Sequence, residues 1–90
     1  MITKEDIREI KLCIALKRNA INTIKNTNAN YIKDGLRSGC NILFFDNCND
    51  FIFGIDSHYS FQIQNNGYYT KKWVLETLQD DLEKLQGLLM

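Results

Sequence analysis

The sequence predicts an α+β fold: a long N-terminal helix, a three-stranded antiparallel β-meander and a C-terminal helix, in the order α-β-β-β-α. Three observations carry this. Between Cys40 and Gln64, three short runs rich in Phe and Ile are split by Asn/Asp/Ser clusters, as strands are split by turns. Before them, isoleucines recur at helical spacing, and after them leucines do the same. At 90 residues the chain is expected to form one domain, 1–90, that buries only about 60–65% of its unfolded surface.

The first helix opens at Thr3, which with Asp6 forms a T-x-x-D capping sequence, and places acidic residues where the helix dipole favours them. Ile7, Ile10, Ile14, Ile21 and Ile24 follow on one face beside Cys13 and Ala20, and the phase continues to Tyr31 and Ile32. Residues 26–30 form helix poorly, and Gly35 suits the position after a helix end. The expectation is one helix over about residues 4–33, kinked or interrupted near Asn28. Lys17 falls inside the isoleucine stripe, so its ammonium must snorkel or meet a carboxylate. If the isoleucine stripe packs on the sheet, Lys17→Met is expected to be neutral or stabilising, and a loss above about 2 kcal/mol would mark a buried ion pair instead. Leu12 and Leu16 lie one turn apart on the opposite side, where such a pair could form a contact site.

The meander is expected over about 40–46, 51–56 and 60–64. A four-residue loop at 47–50 pairs Asp46 with Phe51, Phe44 with Phe53 and Ile42 with Ile55; a three-residue loop at 57–59 pairs Asp56 with Ser60. This register gathers Ile42, Phe44, Phe51, Phe53, Ile55, Phe61 and Ile63 on a core face. The other face holds Leu43, Phe45 and Ile52 beside a polar third strand. These three form an apolar patch, on a sheet whose first strand is an edge open to partners. After a turn at Asn65-Asn66-Gly67, Thr70 is the expected cap of a second helix over about 70–86, ended by Gly87. Leu75, Leu78, Leu82, Leu85 and Leu89 are its heptad-like stripe, with Trp73 roughly opposite Leu75.

Charge balances overall but not locally. Residues 1–39 carry eight Lys/Arg against four Asp/Glu, and residues 40–90 carry three against seven. The start of the chain is charged and helical, unlike a signal peptide, and no apolar run reaches the length of a membrane span. The odd set of cysteines, Cys13, Cys40 and Cys48, fits a reducing cytoplasm. No C-x-x-C spacing points to zinc, and no glycine-rich loop points to phosphate. Residues 46–50 lack the glycine and glutamate that a calcium loop needs. His58, the single histidine, has no nucleophile placed beside it.

No catalytic set, metal site or cofactor is therefore expected. The expected function is a small non-enzymatic protein-binding module. Its interface would use Leu43, Phe45 and Ile52, with Leu12, Leu16 and Trp73 extending it, toward another protein or a second copy as a homodimer. Abundant Asn, Ile and Lys without proline suggest an AT-rich genome. The expected setting is thus a phage or mobile-element inhibitor of a defence complex, anti-CRISPR proteins being one such class, in a bacterial cytoplasm. The alternative is a nucleic-acid-binding regulator using the basic first helix and Tyr68, Tyr69, Lys71, Lys72 and Trp73, although the acidic second half opposes it.

Overall fold

Thr3 caps the first helix as its sequence implies. Its backbone N–H donates to Asp6 Oδ2 (3.0 Å), and the Asp6 N–H donates back to Thr3 Oγ1 (3.1 Å). The computed structural model describes residues 2–36, 41–56 and 68–89. The elements are α1 (Lys4–Lys25), β1 (Tyr31–Leu36), β2 (Asn41–Phe45), β3 (Phe51–Asp56), β4 (Tyr68–Thr70) and α2 (Lys71–Leu88). The fold is α+β: two helices cover one face of an antiparallel sheet ordered β3-β2-β1-β4. Four described strands stand where three were expected. The expected strand at 60–64, the turns at 57–59 and 65–67, Cys40 and His58 lie outside the described residues.

The first helix stops at Lys25, not near residue 33. The Asn26 N–H is shared between the carbonyls of Asn22 and Thr23 (both 3.2 Å), and the Thr27 N–H donates to Ile24 O (3.1 Å), so the last turn tightens and ends. Tyr31 and Ile32, which a helical phase would keep on one side, instead alternate across β1: Tyr31 is exposed and Ile32 fully buried. Pairing with β2 on one side and β4 on the other satisfies the backbone of this segment, which the asparagine-rich connection had removed from the helix. Gly35 is accordingly a strand residue, paired with Leu43.

The core lies between the sheet and the helices. Ile10, Ile14, Ile21 and Ile24 of α1 meet Ile32, Phe44 and Phe53 of the sheet and Val74, Leu78, Leu82 and Leu85 of α2. Phe44 and Phe53 stack at 4.8 Å, as the expected pairing of these residues requires. Ile7, at the start of the isoleucine stripe, is exposed. The Lys71 Nζ donates to Thr27 O (2.8 Å) while Lys17 reaches Asp81 (3.7 Å), so α1 and α2 run antiparallel. Lys17 and Asp81 are both buried in that seam.

Thr70 caps α2 by accepting from the Trp73 N–H (3.1 Å). Gly87 does not end this helix, which runs to Leu88 with Leu89 as its C-cap. Burial of Leu85 and packing of Leu89 carry the chain past a glycine that costs about 1 kcal/mol relative to alanine. The buried stripe is also turned by one residue from the leucine pattern. Val74, Thr77, Leu78, Asp81, Leu82 and Leu85 are buried, and Leu75 and Leu89 are only partly so. No helix among the described residues is long and apolar enough to cross a membrane.

Candidate functional site

Because both helices pack on the face that carries Ile32, Phe44 and Phe53, strand alternation turns their neighbours to the opposite, outer face. One register line crosses all four strands there. Tyr68 pairs with Lys33, Lys33 with Phe45, and Phe45 with Phe51. The next line is Gly35, Leu43 and Gly54. On the other side of the row, Tyr31 pairs with Thr70. Tyr31, Phe51 and Tyr68 are 51%, 59% and 66% exposed, and Leu43 and Phe45 are half-buried. Among the described residues no helix packs on this face.

Phe51 is on this face because of the β2–β3 turn. Asp46 organises it: its Oδ1 accepts from the N–H groups of Cys48 and Asp50 (both 2.9 Å), and its own N–H donates to Asp50 O (3.0 Å). The Asn49 N–H closes onto Asp46 O (3.0 Å), with Asn49 at φ 65°, the left-handed conformation asparagine tolerates. The loop is thus three residues, 47–49, rather than the four expected, and Phe51 faces Phe45 instead of Asp46. A β-bulge at Ile52 then restores the expected pairing of Phe44 with Phe53. The correction moves Phe51 from the expected core face to the outer face. There its ring meets that of Phe45 edge-on at 5.8 Å.

The residues expected at the interface therefore separate. Leu43 and Phe45 lie on the outer face. Ile52, the bulge residue, is half-buried and packs against the core. Leu12 and Leu16 are 60% and 52% exposed on α1, on the helical side of the molecule, so they do not extend the sheet patch. Trp73 stacks on Tyr69 (4.7 Å) and packs against the core, and Tyr69 in turn meets Phe44 at 5.8 Å. Sequence reading missed Tyr31 and gave Tyr68 only to the nucleic-acid alternative, although the alternation of Tyr31, Ile32 and Lys33 is a strand signal in itself. It missed Phe51 because turn length decides that residue's face.

Charges are placed around this face as follows. The Lys33 Nζ donates to Asn49 Oδ1 (3.1 Å), which holds the ammonium on the Phe45–Phe51 side. At the β4 edge a cleft of about 720 Å³ is lined by Tyr31, Thr70, Lys72, Leu75 and Glu76. On α1, Lys4, Lys11, Arg18 and Lys25 are exposed and recur every seventh residue, along one flank. At its C-terminal end that flank meets Glu76, Asp80 and Glu83 across a second cleft. Cys13 is buried and Cys48 exposed. Among the described residues, no three His, Cys, Asp or Glu side chains converge as a metal site. Comparison with protein-family models, with curated proteins and with solved structures finds no match to this chain.

Proposed function

We propose that this protein is a non-enzymatic protein-binding module whose contact surface is the outer face of the sheet. One observation carries the reading: Tyr31, Tyr68, Phe45, Phe51 and Leu43 lie together on a face that neither helix covers. Exposed apolar side chains scattered singly mean little, but aromatic side chains gathered on one face are the composition of an interface core. Its setting, from composition, is a phage or mobile-element product that blocks a bacterial defence complex by occupying a protein surface. The exposed thiol of Cys48 suits a reducing cytoplasm.

The test compares the wild-type protein with Phe51→Glu, both immobilised, for the proteins each retains from a bacterial host lysate. The expected outcome is a species bound by the wild type and lost with the variant, while the far-ultraviolet circular dichroism of the two is the same. Equal retention by both would refute docking of a host protein at this face. A nucleic-acid regulator remains the second reading, supported by the flank of Lys4, Lys11, Arg18 and Lys25. Two features weigh against it. The acidic side chains of α2 face the Lys25 end of that flank, and Tyr69 and Trp73 are committed to each other. Anisotropy of labelled DNA and RNA across a salt series decides it. Phosphate binding by these four cations would show as a steep fall of affinity with salt, reduced in Lys11→Gln.

A further inference from the structure

We infer that the occupant of the outer sheet face is a second copy of the same chain, packed face to face about a two-fold axis that runs along the strands between β1 and β2. This rests on the reading of that face as a docking surface and names the partner. The support is the order of residues in the row that crosses the sheet: Tyr68, Lys33, Phe45, Phe51. Reversed by such an axis, the row is its own complement. Tyr68 of one copy meets Phe51 of the other, and Lys33 meets Phe45, in both directions. The contact is isologous, as a closed dimer requires.

The chemistry at each position agrees. Tyr68 and Phe51 are the two most exposed side chains of the row, and they would cover one another as an aromatic pair. Lys33 would exchange its bond to Asn49 for the ring of the partner's Phe45, an arrangement that attracts an ammonium to the π face. Lys33 and Phe45 belong to the two central strands. They sit nearest the axis, where the roughly 30° crossing of packed sheets displaces side chains least. The neighbouring line of Gly35, Leu43 and Gly54 presents one side chain between two glycines, so the sheets can approach there.

Area sets the strength. At 51–66% exposure, Tyr31, Phe51 and Tyr68 present roughly 80–150 Å² each. With Leu43, Phe45 and Lys33, each copy would cover on the order of 500 Å². The total of about 1,000 Å² stands at the lower edge of specific interfaces, so the dimer is weak and depends on concentration.

Sedimentation velocity from low to high micromolar protein tests this. The wild type should pass from monomer to dimer. Phe51→Glu and Tyr68→Glu should each weaken dimerisation about tenfold or more, with circular dichroism unchanged. Lys33→Glu, which brings a carboxylate to the partner's ring, should also weaken it, and Lys33→Met should keep it. A wild type that stays monomeric at the highest concentration overturns the dimer. It leaves the docking reading to be judged by retention from lysate. A dimer unaffected by all three charged variants also overturns it, because the contact is then elsewhere. Loss of helicity in Phe51→Glu, repeated in the milder Phe51→Ser, would make Phe51 a core residue and overturn both inferences.

Discussion

Lys17 and Asp81 face each other at 3.7 Å inside the seam between the two helices, with 5% and 0% of their side chains accessible. Lys17 could be read as a misfit in an isoleucine stripe, but Asp81 was concealed inside the leucine stripe of α2. With Asp81 in place the sign of the Lys17 substitution reverses. Lys17→Met alone removes the cation that faces a buried carboxylate, and is expected to cost about 3–5 kcal/mol. The double variant Lys17→Met/Asp81→Leu removes both desolvated charges, and is expected to be neutral or to gain about 1–4 kcal/mol. Urea denaturation of the wild type, both single variants and the double variant measures the coupling. A neutral Lys17→Met would show that the ammonium reaches water. The pair also fixes which residues of α1 and α2 meet, because an apolar seam would tolerate a slide that buried charges do not.

At the scale of elements, both helix starts are legible because a cap is a local device. Thr3 and Thr70 bond amides three residues away, and nothing distant can change that choice. Helix ends depend on more. Isoleucine spacing alone carries α1 through to Ile32, yet β1 begins at Tyr31 because β2 and β4 offer it partners on both sides. The end of α2 errs the other way. Gly87 reads as a stop, but the leucines around it still have core to cover. No heavy atom lies within 4 Å of the position a Cβ would take at Gly87. Gly87→Ala should therefore stabilise α2 by about 0.5–1 kcal/mol, raising the melting temperature by a few degrees in a calorimetric scan. A lower melting temperature would show that Gly87 serves a contact that alanine blocks.

For the whole molecule, the central question is which face of the sheet is core. Two phenylalanines separate the alternatives. Phe44 is fully buried and stacked on Phe53, whereas Phe51 is 59% exposed against Phe45. Phe44→Ala should cost about 3–5 kcal/mol of unfolding free energy, and Phe51→Ala about 0.5 kcal/mol or less, as at other exposed sites. Dilute protein and chemical denaturation keep this measurement free of any association through the outer face. Comparable losses in the two variants would mean that the outer face is covered within one chain.

Local chemistry by itself determined the class of this fold, its two caps, the Phe44–Phe53 pairing and the isoleucine face of α1. Each of these follows from side-chain period or from bonds made within a few residues. Tertiary structure decided where α1 yields to β1, which face receives Phe51, and which carboxylate meets Lys17. Those outcomes turn on energies that no window of sequence contains. Tyr31–Leu36 is held by two neighbouring strands, one of them distant in the chain. Phe51 is turned outward by a three-residue loop and a one-residue bulge, and a shift of one residue exchanges the faces of a strand. Lys17 is neutralised by a residue of the other helix, and only the packed seam brings the two together. The candidate docking face is a product of these choices, because it consists of what the helices leave uncovered.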